Sequence, residues 1–187
     1  MEKTLTTAIQ QSFFSQLRNE VNAEVFAEIF DLYYSRIYNY MHYRSGSTDD
    51  AEELTSQVFE KILKKLGSFN PEKAPFEVWI FTIARNSVND YYRCRNRWRW
   101  FSLESVPDQV SPQPSPEEAA LKNEDQVRLR AALRSLGDRE RDIIAMKFAG
   151  GLKNREIARL TGLSESNVGV VIYRTLHQLR AKLESGE

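Results

Sequence analysis

Apolar residues recur along most of this chain at steps of three and four, the period of an amphipathic α-helix. One such run begins near Glu24, and a second follows a Ser-Gly-Ser-Thr-Asp-Asp segment whose side chains suit a helix N-cap. Strand-like alternation is not sustained anywhere in the sequence. The predicted inward positions of these two helices are Phe26, Ile29, Phe30, Tyr33, Ile37 and Met41, then Ala51, Leu54, Val58, Ile62 and Leu66. The pattern predicts an all-α protein.

A third long helix is predicted from about Phe76 towards Arg93, after a loop that contains Gly67, Pro71 and Pro75. Its inward positions are Ile80, Ile83, Ala84, Val88 and Tyr91. Its opposite face carries Thr82, Arg85, Asn86, Asn89, Arg93 and Asn96. Asparagine is a poor helix former, so three in one stripe are unusual for a face that meets only water. This stripe indicates a binding surface, with an ordinary solvated face as the alternative.

Helical periodicity returns in the last third of the chain and ends first at a Gly150-Gly151 pair. A short helix then stops at Gly162, where glycine can adopt the left-handed C-cap conformation, and Ser164 can cap a longer helix. The predicted inward residues of this part are Val127, Leu129, Leu133, Leu136, Ile143, Ile144, Met146, Phe148, Ile157, Ala158, Leu160, Val168, Ile172, Leu176, Leu179 and Leu183. This layout predicts a helix-turn-helix, whose second helix enters the major groove of DNA.

The outward face of that second helix carries small and polar residues at its first turns and larger ones further on. These residues are Glu165, Ser166, Asn167, Gly169, Val170, Tyr173, Arg174 and His177. Small residues let a helix backbone approach base edges, and Asn or Glu can hydrogen-bond adenine or the cytosine amino group. Ser166 and Asn167 could equally cap the helix, and Glu165 could stabilise its positive end. The group as a whole favours DNA reading.

The formal net charge is zero, but the charge is distributed unevenly along the chain. Residues 101–124 are acidic and hold four of the six prolines, a composition that resists packing and suits an extended tether. We therefore predict two small helical domains, 1–100 and 125–187, joined by a flexible linker over 101–124. No apolar run approaches the ~20 residues of a membrane span, and the N-terminus lacks the pattern of a signal peptide, so the expected location is the cytoplasm.

The sequence offers little that could support metal binding or catalysis. Cys94 is the single cysteine, and the two histidines, His42 and His177, lie in different predicted domains. We find no phosphate-binding loop and no nucleophile-base pair, so we expect no metal, no cofactor and no enzymatic activity. Cys94 lies among arginines, which could lower its thiol pKa, although a redox sensor usually has a resolving partner and this chain has none.

Two blocks of the sequence carry a family resemblance. The segment "LRSLGDRERDIIAMKFAGGLKNREIARLTGLSESNVGVVIYRTLHQLRAKL" resembles region 4 of the extracytoplasmic-function (ECF) sigma factors of the sigma-70 family. The segments "DDAEELTSQVFEKIL" and "FEVWIFTIARNSVNDYYRCRNR" look like region 2 of the same proteins, in the correct order. The resemblance covers about residues 24–183 and is more specific than a helix-turn-helix alone. It implies a transcription initiation factor that binds core RNA polymerase and directs promoter recognition and DNA melting.

The resemblance also implies three sets of binding residues. Region 2 would dock on the polymerase clamp helices and capture the melted minus-10 element, and region 4 would read the minus-35 duplex and contact the polymerase flap. The implied polymerase contacts are Asp50, Glu53, Leu54, Gln57, Val58 and Glu60. The implied minus-10 contacts are Phe69, Phe76, Trp79, Arg85, Asn86, Asn89 and Arg93, with Arg95 and Arg97 on phosphates just upstream. The implied minus-35 contacts are Lys153, Arg155 and the eight outward residues of the second helix.

Some positions depart from the family pattern, and one other class of function stays open. Gly169 and Val171 stand where basic residues are usual, Gly137 replaces a proline, and Ser56-Gln57 lacks the usual acid. The nearest alternative is a stand-alone helix-turn-helix regulator that acts without polymerase, but it leaves the first hundred residues without a role. The sequence does not decide whether an anti-sigma factor restrains the protein.

Overall fold

The computed structural model describes residues 23–101, 129, 131–133 and 135–185, with side chains to Arg95 in the first range and to Glu184 in the last. Every regular element in these ranges is helical, which confirms the predicted all-α class. The α-helices are α1 (Ala23–Ser45), α2 (Thr48–Lys65), α3 (Phe76–Phe101), α4 (Asp138–Ile144), α5 (Asn154–Thr161) and α6 (Glu165–Ser185). A 3-10 turn, Leu66–Ser68, follows α2, and a π-helical turn, Ala145–Ala149, follows α4.

The helices begin and end where the sequence supplies caps. The Ser47 hydroxyl accepts a hydrogen bond from the Asp50 N–H at 3.3 Å and so caps α2. Gly162 adopts φ of 73° and ends α5, its N–H donating to the Ala158 carbonyl at 2.9 Å. The Ser164 hydroxyl then accepts from the Asn167 N–H at 3.2 Å and caps α6. With the turn between these two caps, α5 and α6 form the predicted helix-turn-helix.

The N-terminal domain packs α1, α2 and α3 around the apolar stripe that the sequence predicts. The inward positions of α2 are all buried, as are Ile29, Tyr33, Ile37 and Met41 of α1. Phe30 is a correction, since it is 38% exposed, whereas Phe26 and Tyr91 are half-buried and pack against this core. The buried face of α1 also continues through Tyr40 and Arg44, because the C-terminal domain covers it there.

The C-terminal domain departs from the predicted stripe at four apolar residues. Leu129, Leu176, Leu183 and Phe148 are 37%, 43%, 36% and 56% exposed. On α6 the buried positions are Val168, Ile172, Thr175 and Leu179, so a threonine takes the inward place that the period assigned to Leu176. Phe148 lies in the π-helical turn, where the extra residue per turn rotates the side chains away from the α-helical period.

The two domains pack directly against each other. One continuous buried cluster contains Ile37 and Phe81 from the first domain and Ile143 and Ile157 from the second. Gly150 is buried at this junction, where a Cβ atom would stand 2.7 Å from Cε1 of Phe81. The predicted linker lies outside the described residues except for Phe101, and the boundaries 1–100, 101–124 and 125–187 remain predictions.

Candidate nucleic-acid interface

The outward face of α6 stands clear of both domain cores. Glu165, Ser166, Asn167, Tyr173, Arg174 and His177 are all exposed, Val170 is 45% exposed, and Gly169 is half-buried. Because Ser164 supplies the helix cap, Ser166 and Asn167 are not the capping residues, which favours the DNA-reading alternative. The rings of Tyr173 and His177 lie 6.2 Å apart, one turn from each other on this face. The face therefore presents small polar groups at its tip and larger groups behind them.

The start of α5 lies beside the tip of α6. Nδ2 of Asn154 is 3.7 Å from the place where a Cβ atom on Gly169 would stand. Lys153 and Arg155 flank Asn154 and are both exposed. The Lys153 N–H donates to Oε2 of Glu156 at 2.8 Å, which fixes the first turn of α5. Two cations therefore adjoin the reading face, where they can meet DNA phosphates.

The polar stripe of α3 continues along one side of the N-terminal domain. Asn86 and Arg93 are exposed and Asn89 is half-buried. Arg93 pairs with Asp90 at 3.2 Å, and the Arg95 guanidinium donates to the Tyr91 hydroxyl at 3.0 Å. Burial, followed by a hydrogen bond to Asp50, raises the pKa of Tyr91, while the hydrogen bond that Arg95 donates to the Tyr91 hydroxyl raises the pKa of Arg95. The side chains of Asn96 and Arg97 lie outside the described residues.

Three aromatic rings meet at the start of α3. The Phe69 ring lies 5.0 Å from Phe76 and 5.4 Å from Trp79, and Phe76 lies 5.5 Å from Trp79. Phe69 and Trp79 are half-buried, but Phe76 is only 6% exposed. The prediction for Phe76 is corrected, because it belongs to the core and supports the other two rings rather than facing a ligand.

Arg85, another predicted strand contact on α3, points to the other domain. Its Nε donates to Oδ2 of Asp142 at 2.7 Å, and its terminal nitrogen donates to the Leu160 carbonyl at 2.8 Å. The sequence thus places Arg85 correctly on the polar stripe, but its partners in this structure are protein groups.

The predicted polymerase contacts on α2 separate into two sets. Glu53 and Glu60 are exposed, Asp50 and Gln57 are half-buried, and together they follow one side of the helix. Leu54 and Val58 are 2% and 0% exposed. These two predictions are corrected, because both side chains fill the core beneath the acidic side. A hydrogen bond from Lys64 lowers the pKa of Glu60, so this carboxylate stays ionised.

Sequence reasoning missed the polar and charged groups that join the domains, chiefly Asp142, Tyr40, Arg44 and Arg36. Tyr40 donates a 2.7 Å hydrogen bond to Oδ1 of Asp142. Burial raises the pKa of Tyr40 well above its ordinary value, and the neighbouring Asp142 carboxylate raises it further. The sequence did contain a signal that these side chains are buried. Residues four apart lie on the same face of a helix, so Asp142 shares the inward face of Met146, and Arg44 shares that of Tyr40.

Fold and surfaces together define the class of this protein as a helical, two-domain DNA-binding protein. The second helix of its helix-turn-helix has an exposed outward face. A separate surface on the N-terminal domain carries amide, cationic and aromatic groups. Among the described residues, no cluster of three His, Cys, Asp or Glu side chains could hold a metal ion. None of the described helices has the length and apolar character required to cross a membrane.

Comparisons with known proteins identify the family. Residues 29–98 match the family model for Sigma-70 region 2, and residues 126–179 match that for Sigma-70, region 4. The chain is 30% identical over 157 residues to the ECF RNA polymerase sigma factor BldN of Streptomyces coelicolor, covering 84% of this chain and 60% of that protein. It is 29% identical over 168 residues to the ECF RNA polymerase sigma factor RpoE of Cereibacter sphaeroides, covering 88% and 89%. The chain belongs to the sigma-70 family and is an ECF RNA polymerase sigma factor.

Two solved structures share the fold. One is the sigma factor RpoE in complex with the anti-sigma factor NepR from Bartonella quintana, with a TM-score of 0.70, 23% identity, and coverage of 85% of this chain and 96% of that one. The other is CnrH in complex with the cytosolic domain of CnrY, with a TM-score of 0.69, 20% identity, and coverage of 94% and 97%. Both support the helical architecture described above.

Proposed function

We propose that this sigma factor binds core RNA polymerase in the cytoplasm and brings it to promoters through two different DNA surfaces. The N-terminal domain captures the melted minus-10 strand, and the C-terminal domain reads the minus-35 duplex. The observation that carries this proposal is the exposed face of α6, which combines small polar residues at its tip with flanking cations. The protein acts by binding and catalyses no reaction of its own.

Duplex reading suits α6 because major-groove recognition uses a few side chains near the start of a helix. Glu165, Ser166 and Asn167 occupy that place, and Gly169 and Val170 add little bulk behind them. Lys153, Arg155 and Arg174 supply contacts to phosphates, which position a helix without reading sequence. Tyr173 and His177 lie further along the same face.

Strand capture suits the surface of Phe69, Trp79, Asn86, Asn89 and Arg93. Unpaired bases stack on aromatic rings, and each stack contributes ~1–3 kcal/mol. Asparagine side chains offer both a donor and an acceptor to the exposed edge of an unpaired base. Arg93, Arg95 and Arg97 follow on the same helix and supply cations for the neighbouring phosphates.

Polymerase docking is assigned to the acidic side of α2, formed by Asp50, Glu53, Gln57 and Glu60, with the flap as the contact of the C-terminal domain. Exposed acids favour a basic partner surface and speed encounter with it. We also include an anti-sigma factor among the partners, because the similar structure of RpoE is a complex with the anti-sigma factor NepR. CnrH, the other similar structure, is likewise in complex with another protein, the cytosolic domain of CnrY.

The test is formation of a complex with core RNA polymerase and promoter-selective transcription by that complex. Glu53→Lys combined with Glu60→Lys should abolish co-elution, because two favourable charges become repulsive. Glu52→Lys, at an exposed position of the same helix that points elsewhere, is the matched control and should retain binding. Absence of a complex with a compatible core enzyme would reject the proposal. Specific duplex binding without polymerase would then favour the stand-alone regulator.

A further inference from the structure

Tyr91 of α3 joins a residue of the proposed polymerase surface to a residue of the proposed DNA surface. Its hydroxyl accepts a hydrogen bond from the Arg95 guanidinium at 3.0 Å. The same hydroxyl hydrogen-bonds the side chain of Asp50 on α2. Asp50 belongs to the acidic side of α2, and Arg95 belongs to the row of arginines near the end of α3. One hydroxyl group therefore contacts both proposed surfaces of the N-terminal domain.

The two hydrogen bonds of Tyr91 are compatible with each other. An ionised carboxylate can only accept and a guanidinium can only donate, whereas a tyrosine hydroxyl has one proton to donate and lone pairs that accept. Tyr91 must therefore donate to Asp50 and accept from Arg95. A hydroxyl that donates to a carboxylate becomes a better acceptor, because linked hydrogen bonds polarise one another. Asp50 thus strengthens the bond between Tyr91 and Arg95.

The surroundings of Tyr91 fix the position of its hydroxyl. The ring is half-buried, packs against the domain core and lies 5.4 Å from the Tyr92 ring in an edge-to-face contact. The Tyr92 hydroxyl donates to the Arg44 carbonyl and so ties this turn of α3 to α1. Asp50 lies in the first turn of α2, where the Ser47 hydroxyl accepts from its N–H at 3.3 Å. Both partners in the contact between α2 and α3 are therefore held by further hydrogen bonds.

Two neighbouring arginines of α3 are held in different ways. Arg93 pairs with Asp90 at 3.2 Å, so a carboxylate already offsets its charge. Arg95 is exposed, and the Tyr91 hydroxyl that accepts from it is neutral, so the bond orients the guanidinium without cancelling its charge. A guanidinium has five N–H donors, and several remain for a phosphate after one is used. Arg95 is thus a cation whose side chain is oriented before DNA arrives.

We propose that Tyr91 is a positioning residue, whose hydroxyl holds Arg95 in place for a promoter phosphate and links it to Asp50 on the polymerase-binding side of the domain. A long side chain that must be ordered on binding typically weakens an interface about two- to tenfold, and Tyr91 removes that cost for Arg95. This inference rests on the proposed function, because it assigns Arg95 to promoter phosphates. It adds a residue that acts through Arg95 rather than by touching DNA.

The first experiment measures promoter binding by the full chain at a saturating concentration of core RNA polymerase. Fluorescence anisotropy follows a labelled fragment of a promoter identified by transcript sequencing, at several salt concentrations. Tyr91→Phe keeps the ring and should weaken binding about two- to tenfold with an unchanged salt slope, because Arg95 still reaches the phosphate. Arg95→Ala should weaken binding and also reduce the salt slope by about 0.7–0.9, since one phosphate contact is lost.

The matched control is Tyr43→Phe. It makes the same chemical change in the same domain, at a tyrosine of α1 that is 39% exposed. We expect promoter affinity and salt slope to stay as in the unaltered protein.

A double-mutant cycle tests whether Tyr91 acts through Arg95. In an Arg95→Ala background, Tyr91→Phe should have no further effect on promoter binding, because the side chain that it positions is gone. Asp50→Ala breaks the same contact from α2 and should weaken promoter binding only while Arg95 is present. Because this variant leaves α3 unaltered, it tests the inference even if Tyr91→Phe impairs folding.

The second experiment observes the contact in the free protein. Burial raises the pKa of Tyr91, and the hydrogen bond to Asp50 raises it further. Asp50→Ala should therefore lower this pKa, whereas Asp49→Ala, at the exposed neighbouring position of α2, should leave it unchanged. NMR titration of an isotope-labelled tyrosine ring carbon measures the pKa, with the Tyr91 signal assigned from its absence in Tyr91→Phe. A tyrosine that only filled space would not respond to Asp50.

The possible outcomes separate the positioning role from the proposed function. An unchanged pKa in Asp50→Ala would overturn the contact between α2 and α3. Loss of promoter affinity in Arg95→Ala but not in Tyr91→Phe would overturn the positioning role and leave the DNA surface in place. An equal effect of Tyr91→Phe with and without Arg95 would also overturn it. Full promoter affinity in Arg95→Ala, together with the lowered pKa in Asp50→Ala, would keep the contact but reject Arg95 as a phosphate ligand, and the positioning role would be rejected with it.

Discussion

The two proposed DNA surfaces of this protein differ in how they relate to the rest of the fold. The reading face of α6 is exposed along its first three turns, and its cap, Ser164, belongs to the same domain. The strand surface on α3 shares Arg85 with the domain interface, and α3 itself packs against α5. One proposed surface is thus independent of the domain interface, whereas the other shares a guanidinium with it.

This difference indicates how one chain can separate two recognition steps. A duplex is available before melting, so its reader gains from being preformed and open. A single strand exists only after melting, so the proposed surface that shares Arg85 with the domain interface is needed second. The following predictions test whether the strand surface depends on the domain contact and whether the reading face is independent of it.

The largest effect is expected from Gly150→Ala. An added Cβ atom would stand 2.7 Å from Phe81 and 2.9 Å from the Met146 carbonyl, so the domain contact must shift. We expect the free energy of unfolding to fall by about 1–3 kcal/mol in urea denaturation, as for other overpacked cores. Gly67→Ala, where a Cβ atom meets nothing within 4 Å, is the control. Equal stability of the two variants would show that the junction is not closely packed in solution.

Alkaline pH should weaken the protein through its buried tyrosines. Burial raises the pKa of Tyr40 and of Tyr33, so the folded protein keeps both protons where the unfolded chain loses them. Their contribution is fully present below about pH 10 and is lost as the pH rises above it, by about 1.4 kcal/mol per pH unit for each group. Tyr40→Phe should decline less steeply in urea denaturation between about pH 9 and about pH 11. An unchanged slope would mean that Tyr40 is not held neutral by the domain contact.

A smaller effect is expected at the cap of α6. Ser164→Ala removes the acceptor of the Asn167 N–H and should cost about 1 kcal/mol of stability. Asn167→Ala should leave stability unchanged and instead reduce discrimination at one base pair of the duplex. Both are measured by thermal unfolding and by binding to a set of single-substitution duplexes. If Asn167→Ala destabilised the protein as much as Ser164→Ala, capping rather than reading would be its role.

The smallest effect is expected for Arg174→Ala. A phosphate contact releases counterions without reading sequence, so its loss should reduce the slope of log binding constant against log salt by about 0.9 for every duplex. Arg180→Ala is the control, because Arg180 lies further along α6 and pairs with Glu184 at 2.9 Å. Loss of specificity at a single base pair would instead make Arg174 a base reader.

Sequence periodicity placed most of the helices because an apolar stripe at the helical period fixes which side of a helix is buried. The prediction of which side chains are buried was less accurate where the packing of another element, or a local change of helix type, decides which side faces inward. Thr175 replaces Leu176 on the buried side of α6, and Phe148 is rotated outward by a π-helical turn. Leu54, Val58 and Phe76 were assigned to binding surfaces although their apolar side chains fill the core. Periodicity gives the direction of a side chain but not what lies opposite it.

The sequence by itself therefore determined the helical class, the helix-turn-helix with its caps, and the family. These depend on residues close together in the chain, namely Gly162 and Ser164 at the turn and the ordered blocks of the two regions. Only the tertiary structure decided that Tyr40 meets Asp142, 102 residues away, and that Arg85 is shared between the domains. Local propensities carry no information about which buried charge pairs with which, since that choice is made by the packing of one domain on the other.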